Sequence, residues 1–404
     1  MPIELDNLIM VTYLFAPSAA SGTIRLLGFA RHLPKFGWRT TVVAPPEMPW
    51  EPVDRDLLQR VPATTRIYET PYPRHASEVL RWAWPNGIWL PRAWSASRRA
   101  LSETAPRAVL TSGPPHWVHT LGWYLKRWHG LPWVADFRDP WISDGKSQPT
   151  WEPSWPRFWE RRDFKHADLI LANAPQACAC YQSAYPEYAH KVMTLTNGFD
   201  PENFPETLPK TDAILPLHVM HAGELYCGRN PAGFFDALNM LRAESGVHRF
   251  RTTFFGRTTG GGIDLAKETQ ARGLEASVQY GRQVAYRDSL QEMSSADILL
   301  LLDSRGRRIG VPAKLYEYMG TGRAILAMAE DYSDTALILR ESGLPCRVVP
   351  LNDPVRIAQA LRELAAEIVS PNATQPTLTK FTREHLTGQL ANLLRERVLK
   401  QAQG

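Results

Sequence analysis

Short apolar runs alternate with amphipathic stretches along almost the whole chain. Leu8 to Phe15 is an apolar run, and the small-residue loop at 16–22 leads into an amphipathic stretch at 23–36 that Gly37 closes. A second apolar run follows from Arg39 to Ala44. Apolar runs of this length predict buried strands, and strands separated by helices predict a parallel sheet with helices on both faces. The opening of the chain therefore predicts a doubly wound α/β domain.

The same alternation continues beyond residue 100 and then repeats after a proline-rich interruption. Further strands are predicted at 108–111, 133–137, 169–172, 192–195, 217–221, 251–255, 278–280, 298–302, 324–327 and 347–349. Helices are predicted near 116–129, 157–167, 175–184, 231–244 and 313–321 and over about 380–402, while the stretch between 44 and 108 is less regular. The acidic, proline-rich stretch at 201–214 predicts a domain boundary. We expect an N-terminal domain at 1–200 and a C-terminal domain at 201–379, both Rossmann-like, with ligand crevices at the carboxyl ends of their strands.

Size and composition fit this reading. A chain of 404 residues is long enough for two domains with separate cores. The net charge of +5 is modest, and no basic stripe predicts a nucleic-acid partner. The start MPIELDNLIMVTYLF has no basic segment before its apolar run, which favours a first strand over a signal peptide, and no apolar run approaches a membrane span. Four scattered cysteines favour a reducing cytoplasm.

The segment from Asp303 to Arg323 carries the most chemistry. An apolar strand ends at Asp303, a cationic loop follows, and Gly310-Val311-Pro312 opens a helix with Lys314 and Glu317. Glycine lets a backbone approach a ligand closely, and the free N–H groups of a helix start bind anions. We expect Pro312 in the first helical turn and Glu317 near the second turn. A carboxylate there can accept the hydroxyls of a ribose, although a plain strand-loop-helix with a solvated Lys and Glu remains the alternative.

The stretch GVPAKLYEYMGTGRAIL resembles the nucleotide-sugar signature of retaining GT-B glycosyltransferases of family four, and the resemblance covers nearly the whole chain. It implies a GT-B fold, in which two Rossmann-like domains face a cleft and the C-terminal one binds the donor. Glu317 would contact the donor ribose, and backbone around Gly310 to Pro312 would hold the diphosphate. The family often carries a second Glu eight positions before the first, where this chain has Ile309, so no sugar-binding carboxylate is assigned.

Other segments extend the resemblance. HAGELYCGRNP resembles the loop after the first strand of the donor domain, where Glu224 replaces a frequent Arg and Arg229 becomes the basic candidate. FFGR, TNGFD and FTREHLTGQLANLL resemble the next strand with its glycine, the segment at the domain junction, and a terminal helix at 380–404 that packs back on the first domain. The donor-binding residues implied in this way are Gly22, Arg25, Asn197, Gly223, Arg229, Gly256, Gly310, Val311, Pro312, Lys314, Leu315 and Glu317.

The N-terminal half supplies the acceptor-side candidates. VADFRDPW is similar to a bacterial envelope-polysaccharide subset of these transferases, and it follows a strand end. Asp136, Asp139 or His119 would orient or deprotonate an acceptor hydroxyl, and Arg138 would lie on the acceptor side. His119 is the better histidine, because the family often places one on this helix, whereas His116 is expected to start a helix. A buried structural ion pair between Arg138 and Asp139 is the alternative.

Two further patterns bear on partners. Asp54-Arg55-Asp56 has the form of a metal-binding Asp-x-Asp but lies in a proline-flanked amphipathic stretch, so we expect a solvated helix start and no metal site. RWAWPNGIWLPRAW at 81–94 combines tryptophans with arginines, which suits a membrane interface, although packing into the domain explains it equally. We expect a cytoplasmic enzyme with peripheral contact to the inner face of an anionic plasma membrane.

The sequence thus predicts a metal-independent glycosyltransferase. Its co-substrate would be a nucleoside diphosphate sugar in which the nucleotide is UDP or GDP. The enzyme would need no further cofactor. The acceptor would be a lipid-linked or envelope glycan, and retention of configuration follows from the resemblance. A nucleotide-sugar 2-epimerase of the same fold and a non-catalytic nucleotide-sugar-binding subunit are the alternatives, the latter because of Ile309 and Glu224.

Overall fold

The structure is a computed structural model that describes residues 5–48, 51–70, 85–141, 155–205, 216–223, 225, 228–260, 262–282, 286–368 and 377–400. The chain divides into two compact units. The first comprises Met1–Gly198 together with Arg383–Gly404, and the second comprises Phe199–Thr382.

The first unit is built on a sheet of seven parallel strands in the order β3-β2-β1-β4-β5-β6-β7. The strands are β1 Asp6–Thr12, β2 Trp38–Ala44, β3 Arg66–Glu69, β4 Ala108–Gly113, β5 Trp133–Phe137, β6 Leu169–Ala172 and β7 Val192–Thr194. The helices of this unit are α1 Ser21–His32, α2 Asp56–Gln59, α3 Pro85–Thr104, α4 His119–His129, α5 Trp155–His166 and α6 Pro175–Ala184. Since β1, β4 and β5 are buried along almost their whole length, they form the centre of the core.

The second unit has a six-stranded parallel sheet in the order β12-β9-β8-β13-β14-β15 and a short hairpin. The strands are β8 Leu217–Ala222, β9 Phe250–Phe255, β10 Thr259–Gly260, β11 Ile263–Asp264, β12 Val278–Gly281, β13 Ile298–Leu302, β14 Ala324–Met328 and β15 Cys346–Val349. The helices are α7 Ala232–Ser245, α8 Leu265–Gln270, α9 Tyr286–Ser295, α10 Lys314–Thr321, α11 Asp334–Ser342 and α12 Pro354–Ile368.

The last helix, α13 Arg383–Leu393, continues into a π-helical segment at Leu394–Leu399 and belongs to the first unit. It packs on α1, where Gly28 leaves room for the aliphatic part of Arg383. Leu390 and Leu394 are fully buried in the core of that unit. The first unit is therefore discontinuous in sequence, because its last helix follows the second unit along the chain.

The predicted fold class, two α/β units on doubly wound parallel sheets, is confirmed. The less regular stretch between 44 and 108 was misjudged, because it contains the edge strand β3 and the long helix α3. Pro91 lies inside α3, and an interior proline is an unusual helix residue that hides the pattern. Among the described helices, none combines the length and the apolar character that crossing a bilayer demands.

Candidate active site

The strand order of each sheet reverses direction at one point. In the first unit this switch lies between β1 and β4, and in the second it lies between β8 and β13. Helices that leave neighbouring strands on opposite sides of a sheet open a crevice at such a point, at the carboxyl ends of the strands. The loops that follow these four strands carry most of the residues that the sequence singled out, so each unit is described in turn.

Arg25 and Asp136 form the charged centre of the first unit. The Arg25 guanidinium donates from Nε to Asp136 Oδ2 at 3.1 Å and from Nη2 to Asp136 Oδ1 at 2.9 Å. Ser112 donates to Asp136 Oδ2 at 2.7 Å. Arg25 also donates to the carbonyls of Leu195 and Thr196 and to Asn197 Oδ1. Asp136 is fully buried, so this network ties α1, β4, β5 and the end of β7 together.

Three predicted site residues take part in this network. Asp136 is the buried ion-pair partner of Arg25, and its two oxygens are occupied by Arg25 and Ser112, which does not support a role as a base for an acceptor. Arg25 and Asn197 were predicted to bind the donor, yet Arg25 donates only to groups of its own unit in these bonds and Asn197 serves as one of its acceptors. In this network all three side chains hold elements of the first unit together.

His119 and His116 lie at the end of β4. His119 opens α4, is fully buried, and has its Nδ1 at 2.8 Å from Thr111 Oγ1. Burial is the main cause that lowers the pKa of His119 well below its usual value, with His116 and two arginines adding to it. Burial and Arg138 lower the pKa of His116 to about 3. Both imidazoles are therefore neutral at pH 7, and His116 begins the 3-10 turn before α4 as predicted.

Arg138 follows β5 and is buried, whereas Asp139 is exposed. The Arg138 guanidinium donates from Nε to the Gly113 carbonyl at 3.1 Å and from Nη2 to the Pro114 carbonyl. Gly22 was predicted to bind the donor. In the structure, a Cβ atom at this position would lie 1.4 Å from Arg138 Nη1. The small size of Gly22 is thus required by Arg138.

In the second unit, the loop after β13 turns sharply at Gly310. Its φ of +86° lies in the left-handed region that favours glycine. The Gly310 N–H donates to Asp334 Oδ2 at 2.8 Å, and the Asp334 N–H donates to the Arg308 carbonyl at 2.9 Å. Asp334 is fully buried at the start of α11 and therefore fixes the segment that was predicted to hold the diphosphate.

Helix α10 begins at Lys314, one residue after the predicted start at 313. Pro312 lies in the turn before the helix, where its carbonyl accepts from Leu315 N–H at 3.0 Å, and not in the first helical turn. Glu317 lies in the first turn of α10, not near the second. Lys314 Nζ is 2.6 Å from Glu317 Oε2, and the Glu317 side chain is 13% exposed against 31% for Lys314. The two predicted donor-binding side chains are therefore neighbours that can reach solvent.

The remaining predicted donor residues are spread over three loops. Gly223 follows β8, the mostly buried Arg229 precedes α7, and Gly256 follows β9 with a φ of +128°. Val311 is buried beside the Gly310 turn, and the Leu315 side chain is fully buried in the core, which leaves only its backbone for a ligand. Glu224 lies outside the described residues. Asp54 and Asp56 are at the start of α2 as predicted, and Asp56 is exposed.

Three residues that the sequence did not single out support the loop and α10. Asp303 Oδ1 accepts from the Ser304 N–H and its Oδ2 accepts from Thr335 Oγ1, which fixes the start of the cationic loop. Tyr318 Oη accepts from the Ala222 N–H at 2.8 Å and so joins α10 to the end of β8. His221 Nδ1 donates to the Leu300 carbonyl at 2.9 Å, and burial lowers its pKa to about 4. Of these three residues, only Asp303 could have been singled out from the sequence, because it directly follows an apolar strand.

Comparison with known proteins adds a family match for part of the chain and a fold for nearly all of it. Residues 22–198 match the family model of the glycosyl transferase 4-like domain. None of the curated proteins compared with this chain matches it.

Several solved structures are similar over nearly their whole length. Sucrose-phosphate synthase from Thermosynechococcus elongatus is 16% identical with a TM-score of 0.64, covering 97% of this chain and 98% of its own. HepE from Anabaena in complex with UDP and glucose is 15% identical with a TM-score of 0.63, covering 96% and 99%. The lipopolysaccharide outer core galactosyltransferase WaaB is 14% identical with a TM-score of 0.65, covering 97% and 100%. At these identities the likeness establishes a shared fold.

Proposed function

We propose that this chain moves a sugar from a nucleoside diphosphate sugar to an acceptor hydroxyl, because its residues 22–198 match the glycosyl transferase 4-like domain and its fold is shared with sucrose-phosphate synthase and the galactosyltransferase WaaB. The observation that carries the donor half of this proposal is the Gly310 turn followed by Lys314 and Glu317 in the first turn of α10. This arrangement lies at the switch point of the second sheet, where an open α/β sheet binds its ligand.

The donor is a UDP or GDP sugar held by the second unit. Glu317 accepts hydrogen bonds from the ribose hydroxyls, and its hydrogen bond from Lys314 orients the carboxylate. Lys314 and Arg229 supply positive charge to the leaving diphosphate, and the backbone N–H groups before α10 add to it. HepE from Anabaena was solved with UDP and with UDP-glucose, which supports the uridine nucleotide. These cationic groups take over charge stabilisation that other transferases give to a metal ion.

The acceptor hydroxyl is bound by the first unit, with retention of the anomeric configuration. His119 is the residue that we assign to orient this hydroxyl. Its Nδ1 is fixed by Thr111, and its Nε2 has no hydrogen-bond partner among the described residues. A neutral imidazole in that state can exchange a hydrogen bond with a hydroxyl at neutral pH. Asp139, exposed next to Arg138, is the second acceptor-side residue of the proposal.

A lipid-linked envelope glycan is the acceptor class that fits the surface of the first unit. Trp89 is fully buried and donates to Thr70 Oγ1, so this part of the tryptophan-rich segment serves packing. Trp82 and Trp84 lie outside the described residues. Trp94 instead packs edge-on against Tyr124 and Trp128, with ring centroids 5.8 Å and 5.5 Å away, and Trp128 is 57% exposed. The exposed Arg127 and His129 flank Trp128, and such a mixture of aromatic and basic groups suits an anionic membrane surface.

Turnover of a donor panel tests the proposal. Purified protein is incubated with UDP-, GDP-, TDP- and ADP-sugars, with and without a membrane extract that supplies lipid-linked acceptors. We expect nucleoside diphosphate release and a new glycoside only when acceptor is present. An epimerised donor without acceptor would instead identify a 2-epimerase, an activity that the comparisons do not support. Binding without turnover across donors and acceptors would identify a non-catalytic subunit.

A further inference from the structure

Three buried polar atoms without hydrogen-bond partners surround the end of β4. They are His116 Nδ1, His119 Nε2 and Arg138 Nη1, and none of them has a partner among the described residues. A Cβ atom on Gly113 would lie 3.1 Å from His116 Nδ1 and 3.2 Å from His119 Nε2, so both ring nitrogens converge on the same backbone position. Unpartnered buried polar atoms cost free energy and are rare, and three together therefore call for a missing partner.

The guanidinium of Arg138 is held in a fixed orientation. Its Nε and Nη2 donate to the carbonyls of Gly113 and Pro114. Nη1 is therefore the guanidinium nitrogen that has no hydrogen-bond partner among the described residues. This nitrogen lies against the first turn of α1, because a Cβ on Gly22 would collide with Nη1. Since Arg138 is only 5% exposed, water does not compensate its charge, and burial lowers the pKa of this guanidinium below its usual range.

The start of α1 adds to the positive potential. Ala20 precedes the helix and provides no side-chain cap, and the first turn contains no acidic residue. The first N–H groups of a helix carry a partial positive charge, so a cation placed against them is unfavourable unless an anion joins them. Arg25 adds a second positive charge nearby, but it is matched by the Asp136 carboxylate. The carboxylates of Asp136 and of the exposed Asp139 also attract Arg138.

We propose that Arg138, the first turn of α1 and the His116 ring form a subsite for a phosphate group, and that the phosphate is carried by the acceptor. The acceptor class is then a phosphorylated glycan or a polyprenyl diphosphate-linked sugar. A tetrahedral oxyanion accepts hydrogen bonds from several directions at once, as Arg138 Nη1, the helix N–H groups and the neutral His116 imidazole would donate them, which leaves His119 Nε2 for the acceptor hydroxyl. The proposal rests on the proposed function for its substrate, although the anion site itself stands on the first unit alone.

The direct test is a soak of wild-type crystals, grown without phosphate, in sodium tungstate. We expect an anomalous peak within hydrogen-bonding distance of Arg138 Nη1, and no peak there would overturn the subsite. A second soak adds UDP. Tungstate that stays at Arg138 while UDP is bound elsewhere agrees with an acceptor phosphate, whereas displacement of tungstate by the UDP diphosphate would assign the anion to the donor and overturn the acceptor proposal.

Calorimetry in solution complements the soak. We expect Arg138→Met to weaken inorganic phosphate binding at least tenfold while leaving UDP binding unchanged, and Arg55→Met, at an exposed arginine of the same unit, to change neither. Equal phosphate affinity in Arg138→Met and wild type would contradict the subsite. Should Arg138→Met not fold, the wild-type soak still decides. Failure of UDP to bind the wild type would defeat the donor proposal, and a tungstate peak at Arg138 would be unaffected by that result.

Discussion

At the scale of single residues, buried charges in this protein are organised in two different ways. The Asp136 carboxylate is matched in charge by Arg25 and accepts three hydrogen bonds, two from Arg25 and one from Ser112. The Arg138 guanidinium has one unused edge, and His119 has one unused ring nitrogen. Matched groups hold elements together, and incompletely matched ones are the places where a ligand gains binding free energy.

Replacement of Asp136 tests its structural role. Asp136→Ala leaves the Arg25 guanidinium buried without its counter-ion, and we expect about 3–5 kcal/mol loss in the free energy of unfolding, measured by urea denaturation. Asp236→Ala removes the partner of Arg272 from a more exposed pair and should cost below about 1 kcal/mol. If Asp136→Ala kept its stability and lost only turnover, Asp136 would be a catalytic residue.

Asp334 is expected to act on donor binding through Gly310. Asp334→Ala removes the acceptor of the Gly310 N–H, and hydrogen bonds to charged groups contribute about 1.5–3 kcal/mol. We therefore expect UDP affinity to fall roughly tenfold or more. Asp334→Asn keeps a carbonyl oxygen at this place and should restore most of the affinity, whereas turnover at saturating donor changes little. The same UDP affinity in Asp334→Ala would show that the turn is fixed without it.

At the scale of elements, apolar patterning located the central strands well and the peripheral elements poorly. Strands β5, β6 and β13 lie where predicted, because they are buried on both faces and appear as continuous apolar runs. β3 was missed because this edge strand exposes three of its four residues, so its sequence RIYE has no apolar run. Pro312 was expected in the first helical turn because a Gly-Val-Pro turn resembles a helix start, and that turn is held by Asp334, which is distant in sequence.

The aromatic end of α4 predicts membrane contact at an element that the sequence did not point to. Trp128→Ser removes the exposed ring that packs on Trp94 and Tyr124 at centroid distances of 5.5 Å and 4.6 Å. We expect the fraction that co-sediments with anionic liposomes to fall severalfold for this variant. Tyr332→Ser, at a 76% exposed tyrosine of the second unit, is the control and should sediment like the wild type. Wild-type protein that stayed in the supernatant with anionic vesicles would contradict membrane docking.

At the scale of the whole molecule, buried neutral histidines make stability depend on pH. Folding lowers the pKa of His116 from 6.5 to about 3 and that of His221 from 6.5 to about 4, with burial as the main cause. Between these values the unfolded chain binds more protons than the folded one, so the free energy of unfolding decreases as pH falls from 6.5 towards 4. Asp163 opposes this trend, because burial raises its pKa to about 7, but the histidines outnumber it.

A histidine replacement tests this assignment. His116→Phe keeps a ring between Phe137 and Trp141 and removes one titrating group, so the slope of stability against pH should decrease by about 1.4 kcal/mol per pH unit between pH 4 and 6.5. The exposed His190 provides the control, and His190→Phe should keep the wild-type slope. Denaturant titrations at several pH values measure both slopes, and equal slopes in His116→Phe and wild type would contradict the burial account.

The sequence established the fold class, and it placed the Gly310 motif directly after the strand β13, which lies at the switch point of the second sheet. The sequence could not show which buried polar groups have all their hydrogen-bond partners. Asp136 and Arg138 are two positions apart in one motif, and they differ only in the partners that other elements supply. The order of the strands decided that question, because it brings the ends of β1, β4 and β5 together. The proposed membrane surface likewise depends on the packing of α3 against α4.

The most direct measurement of the central claim is calorimetric titration of UDP and GDP into wild-type protein, Glu317→Ala and Glu268→Ala. Glu268 is a matched control, because it is also a helical carboxylate of the second unit and forms an ion pair with a basic residue close in sequence, Arg272. We predict that the wild type binds one of the two nucleotides, that Glu317→Ala binds it at least tenfold more weakly, and that Glu268→Ala binds it like the wild type. Equal affinity in Glu317→Ala and wild type would contradict the assignment of α10 as the donor site.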